Sequence, residues 1–185
     1  MKKLPIDEVL PALKQTLSLY ANVVLTAPTG AGKSTRVPLA LLHEPWMAEK
    51  QRMILLEPRR LAARMVARYM ASLLGERVGE TVGYRVHRDT CVTTATRIEV
   101  VTEGVLTRML QSNPSLDGIK LILFDEFHER SLQADLRLAL AMESQAVLRE
   151  DLKIVVMSAT FEAESVSTLL SDAPIIRSEG KMFPV

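Results

Sequence analysis

The chain has 185 residues, 48% of them hydrophobic and 24% charged, with 23 Lys and Arg against 22 Asp and Glu and a formal net charge of +1. This mix is that of an ordinary globular domain with a sizeable core and excludes a disordered or broadly basic chain, so any polyanion must be held by a local patch. A single cysteine, Cys91, excludes an internal disulfide and a cysteine-rich zinc site; with no signal-peptide pattern and no long apolar run, the expectation is a soluble, cytoplasmic protein without membrane or disulfide partners.

Short apolar runs alternate with longer amphipathic ones along the chain, the pattern of an α/β protein with a parallel sheet and helices on both faces. Pro5 and Pro11 fall in a first helical stretch, where Pro11 suits a first helical turn. Strands are expected at Asn22–Thr26, Met53–Glu57, Thr81–Val86, Arg97–Thr102, Lys120–Phe124, Lys153–Met157 and Pro174–Arg177. Helices are expected near Gly32–His43, Arg60–Leu74, Glu103–Gln111, Leu132–Leu148 and Phe161–Leu170. Leu121–Phe124 and Ile154–Met157 are apolar without alternation, as strands covered on both faces must be. The tail from Gly180 has no partner element, so residues 1–180 read as one domain and 181–185 as the start of a linker.

After the first strand comes Ala27-Pro28-Thr29-Gly30-Ala31-Gly32-Lys33-Ser34-Thr35. Gly30 and Gly32 let the backbone curl so that several N–H groups and a helix N-terminus converge on phosphate oxygens. Lys33 would reach the outer phosphates of ATP and the Ser34 hydroxyl would ligate Mg²⁺. Ala27 stands where the strict pattern has glycine, so the match is to a relaxed form. The bland alternative, a tight turn with a solvated lysine, leaves the following motif unexplained.

That motif is Asp125-Glu126-Phe127-His128-Glu129-Arg130, directly after a buried strand. Two adjacent carboxylates there are costly without a cation, and Mg²⁺ on the phosphates would supply one. Asp125 then faces the metal and Glu126 is the base that polarises the attacking water. Alone, an Asp-Glu pair after a strand is more often a turn or a helix start.

With these residues in view, the chain resembles the superfamily 2 helicases of the DEAH/RHA branch, and in particular the bacterial HrpB-type ATP-dependent helicases. Ala27–Thr35, Glu57-Pro58-Arg59-Arg60, Thr102-Glu103-Gly104, Asp125–His128 and Ser158-Ala159-Thr160 stand in the order of five of that family's motifs. The resemblance covers essentially the whole chain and implies the first RecA-like lobe of an RNA helicase. It implies that Lys33, Asp125, Glu126 and His128 serve catalysis, with His128 relaying nucleotide state to Ser158, Ala159 and Thr160. It implies further that Pro58, Arg59, Arg60, Thr102, Glu103 and Gly104 line a single-stranded nucleic-acid track, gripping phosphates without reading sequence.

Where relatives place a base-stacking arginine this chain has Tyr69 with Arg68 beside it, so either could stack on the base. Phe127 replaces the alanine of the DEAH box. A second lobe, which in the family brings the transition-state arginine, is expected outside this chain, so the isolated chain should be nearly inactive. Two competitors remain. A small P-loop kinase or GTPase lacks its acceptor-binding or base-reading residues here. A non-enzymatic RNA-binding module on a P-loop fold is disfavoured by intact Lys33, Ser34, Asp125 and Glu126.

Overall fold

The computed structural model describes residues 3–127, 132–159 and 163–179. A 3-10 turn at Pro5–Glu8 leads into α1 (Leu10–Leu19), β1 (Asn22–Thr26), α2 (Lys33–Leu41), β2 (Arg52–Leu56) and α3 (Arg60–Leu74). Then come β3 (Val82–Val86), β4 (Asp89–Cys91), β5 (Ile98–Val101), α4 (Glu103–Ser112) and β6 (Ile119–Phe124). The last elements are α5 (Leu132–Val147), β7 (Lys153–Ser158), α6 (Ala163–Leu169) and β8 (Ile175–Arg177).

The strands form one sheet in the order β4-β3-β5-β2-β6-β7-β1-β8, with every pairing parallel except β3 with β4. Successive side chains of a strand point to opposite faces, so covering both faces demands continuous apolar strands. Val23 and Leu25 accordingly enter a core built with α1, α2 and α3, whereas Val24 enters a second core with α4, α5 and α6. Among the described residues no helix is long and apolar enough to cross a membrane.

Two expectations need correction. Asp89–Cys91 is a strand, returning antiparallel to β3 through a turn in which Arg88 takes a φ of 60°. The opening helical stretch is split, because the residues around Pro5 form only a 3-10 turn before α1. The start of the helix expected at Phe161 and the linker expected at 181–185 lie outside the described residues.

Candidate nucleotide site and nucleic-acid face

β1 and β6 are separated by β7 alone, so the loops leaving their carboxyl ends meet at one edge of the sheet, where ligands of open α/β sheets bind. The phosphate loop turns on Gly30 (φ 77°) and Gly32 (φ 95°). Gly32 is the N-cap of α2, and a Cβ there would lie 2.6 Å from Leu4 Cδ1. The chain's first residues back this loop: Ile6 N–H donates to the Ala31 carbonyl at 3.3 Å, and Ser178 Oγ donates to the Pro5 carbonyl at 3.0 Å. Asp7 accepts the Leu4 N–H at 2.9 Å and lies 3.9 Å from Arg36 on α2.

Lys33 opens α2 and is buried; its ammonium donates to the carbonyls of Ala27 (2.7 Å) and Pro28 (3.1 Å). Burial depresses its pKa, while the charges of Glu126 and Asp125 act the other way. The Ser34 hydroxyl donates a hydrogen bond to the Asp125 carboxylate. Asp125 is 4% exposed, and burial raises its pKa against the opposing Ser34 hydrogen bond. Its Oδ1 accepts the Glu126 N–H at 2.9 Å, whereas its Oδ2 is buried with no protein partner. Glu126 sits in the left-handed region at φ 52°, a conformation costly for a residue with a Cβ and concentrated at functional sites.

Thus the structure brings Lys33, Ser34, Asp125 and Glu126 into one electrostatic cluster. Thr29 and Gly30 stand exposed at the loop tip, and Ala27, Ala31 and Ser158 are buried behind it. His128 and Thr160 lie outside the described residues.

The turns along this edge are joined laterally by main-chain hydrogen bonds. Ala27 N–H meets Ser158 O, Phe127 N–H meets Met157 O, and Asp125 N–H meets Leu56 O, each at 3.1 Å. Glu57 N–H meets Val101 O at 2.9 Å, and Thr102 N–H meets Arg85 O at 3.4 Å. Nucleotide loop, acid pair and the turns at Pro58 and Thr102 therefore form one hydrogen-bonded rim.

On the far half of that rim Arg59 is the N-cap of α3 and Thr102 the N-cap of α4. Arg59 and Arg60 are exposed, Thr102 is buried, and a Cβ on Gly104 would meet nothing within 4 Å. Arg60 also donates to the His87 carbonyl at 2.9 Å, and Arg64 pairs with Asp89 at 2.6 Å, tying α3 to the β3–β4 hairpin. Tyr69, on the same helix, is 55% exposed.

Several polar residues at this edge were not singled out by sequence. Glu57 is buried, and burial with the nearby Asp125 charge raises its carboxyl to about 7. Arg85, Arg88 and Arg108 line an open groove of about 370 Å³ beside α4. They come from separate elements and share no local pattern; only the strand order and the β3–β4 hairpin assemble them.

A parallel sheet with a glycine-cradled lysine and a buried acid at its carboxyl edge defines a P-loop nucleotide-binding lobe. The DEAD/DEAH box helicase model matches residues 7–169, and the chain belongs to that family. It is 55% identical, over its whole length, to the ATP-dependent RNA helicase HrpB of Escherichia coli (strain K12), covering 23% of that protein. Human ATP-dependent RNA helicase DHX29 is 34% identical, with all of this chain matching 14% of it. The crystal structure of the E. coli DExH-box NTPase HrpB superposes with a TM-score of 0.92 over the whole chain and 23% of its own, again at 55% identity. The chain thus spans about a quarter or less of the length of these relatives.

Proposed function

We propose that this chain is the ATP-binding lobe of an ATP-dependent RNA helicase, hydrolysing Mg–ATP while it holds a single strand. The observation that carries the reading is the Ser34–Asp125 hydrogen bond, which joins the phosphate loop to the acid pair. The donor set fits a hard divalent cation: a hydroxyl beside a carboxylate with one buried oxygen left without a protein partner. Ser34 and Asp125 would hold Mg²⁺, which when bound neutralises phosphate charge.

Lys33 exchanges its loop carbonyls for outer-phosphate oxygens, helped by backbone amides of Thr29–Thr35 at the start of α2. Glu126, lifted from the strand by its left-handed backbone, accepts a proton from the attacking water. Tyr69 is exposed for stacking on the base. Ser158 and Ala159, bonded through the rim to both loops, pass the nucleotide state onward, with His128 and Thr160 as further members. Pro58, Arg59, Arg60 and Thr102–Gly104, continued by the groove of Arg85, Arg88 and Arg108, hold phosphates of the strand.

A second RecA-like lobe would complete the site. An arginine supplied from such a partner contributes about 10³–10⁵ in rate, so this lobe alone turns over ATP at a trace of the two-lobed rate. The decisive measurement is ATP turnover by the two-lobed protein with and without single-stranded RNA or DNA, beside Lys33→Ala and Glu126→Gln. Stimulation by RNA, lost in both variants, is expected. Nucleotide-independent RNA binding with no turnover would replace this reading with a non-enzymatic one.

A further inference from the structure

The proposal that follows rests on the helicase reading and concerns how its two sites communicate. Arg137 lies on α5, the helix after the acid pair, and is only 7% exposed. Its Nε donates to the Glu103 carbonyl at 3.2 Å and to Thr107 Oγ1 at 3.0 Å, and its Nη1 lies 3.3 Å from Glu103 Oε2. Thr107 Oγ1 itself donates to the Glu103 carbonyl at 3.0 Å, closing a compact network on the first turn of α4. That turn begins at Thr102-Glu103-Gly104, on the nucleic-acid half of the rim.

The rest of the α4–α5 seam is apolar, with Leu106 and Leu110 in the same core as Leu138 and Ala141. Such contacts are non-directional and fix neither the height nor the rotation of one helix against the other. Stability does not call for an arginine there, since a well-packed apolar side chain is often at least as good as a buried ion pair. What the planar fork adds is register, because its donors are satisfied in one relative placement.

One turn before Arg137, Ala134 lines a cavity of about 20 Å³ whose other walls include Pro58, Glu103, Asp125 and Glu126. Acid pair and nucleic-acid turn are therefore separated by space for about one water, and a small displacement of one wall reaches the other.

We propose that Arg137 is a positioning residue: by locking α5 to the first turn of α4, it makes the acid-pair segment and the Thr102–Gly104 turn move as one body. Strand binding then biases the catalytic acids, and nucleotide biases the strand's grip by the same factor, as linkage requires.

The test uses the two-lobed protein with Arg137→Met, which keeps bulk without charge, Arg137→Lys, which keeps charge without the fork, and the milder Thr107→Val. ATP turnover is measured against an oligouridine titration, and oligouridine affinity with and without a non-hydrolysable ATP analogue. Basal turnover and analogue affinity should stay within about twofold of wild type. Oligouridine stimulation and the analogue-dependent change in oligouridine affinity should fall about tenfold in both Arg137 variants, within the range of ordinary coupling energies. Thr107→Val should show a smaller loss of both. A merely structural role would lower the melting temperature and leave that affinity ratio intact. Wild-type coupling in folded variants overturns the inference alone. A wild-type protein that oligouridine does not stimulate overturns the helicase reading and the inference with it.

Discussion

The Ser34 hydroxyl donates to the Asp125 carboxylate, although the two residues leave strands that β7 separates. Loop and acid are thus held together by protein alone, which reduces the ordering required when a cation and phosphates arrive. The accompanying cost is a set of buried acids with little compensating charge, and this has a thermodynamic signature.

Glu57 and Asp125 both have raised pKa values, chiefly through burial, Glu57 to about 7 from 4.5. The folded chain therefore binds more protons than the unfolded chain between these values, and stability falls as pH rises through that window. Thermal melts of the ligand-free protein should show a declining transition temperature from about pH 5 to about pH 7.5. Glu57→Gln should have a shallower decline; an unchanged slope would remove Glu57 as its source.

Glu126 pays for its exposed reach with a φ of 52°. Glycine adopts that conformation without penalty and alanine does not. Glu126→Gly should therefore be more stable than Glu126→Ala by about 1 kcal/mol, roughly 2–4 °C for a domain of this size. Both should abolish ATP turnover in the two-lobed protein. Equal melting temperatures would mean that the backbone there relaxes once the carboxylate is gone.

Gly30 and Gly32 both have positive φ, but only Gly32 is crowded, by Leu4, Arg36 and Ile6. Gly30→Ala should cost about 1 kcal/mol, the backbone penalty alone. Gly32→Ala should cost about 1–3 kcal/mol more because the N-terminal segment must give way. Urea titrations of the two variants give the ranking directly.

Phe127 is 4% exposed and meets Phe124 edge to face, with ring centroids 6.3 Å apart. Its side chain is part of the core shared with α5. Phe127→Ala should cost about 3–5 kcal/mol in chemical denaturation, despite placing in the acid box the residue that Phe127 replaces. A near-neutral result would show that the core collapses readily around the box.

Much of this architecture was legible in the sequence. β6 and β7 stand out because strands covered on both faces must be apolar throughout, and the phosphate loop is contiguous and chemically peculiar. β4 escaped notice because Asp89-Thr90-Cys91 is short and polar, and its preceding turn uses Arg88 where a glycine would have been the signal. The acid pair could be read locally, whereas Glu57 and Arg137 could not. Their surroundings follow from β2 lying beside β6 and from α5 packing on α4. Arg137 looks like a solvated helix charge until that packing is known.

The backing of the phosphate loop by Leu4, Pro5 and Ile6 ties nucleotide capture to a tether far from the chemistry. Trimming those few residues, or crowding them with a fused tag, would unseat the floor beneath Gly32 while every catalytic side chain stayed in place. A preparation altered in this way could lose ATP and be mistaken for an inactive enzyme.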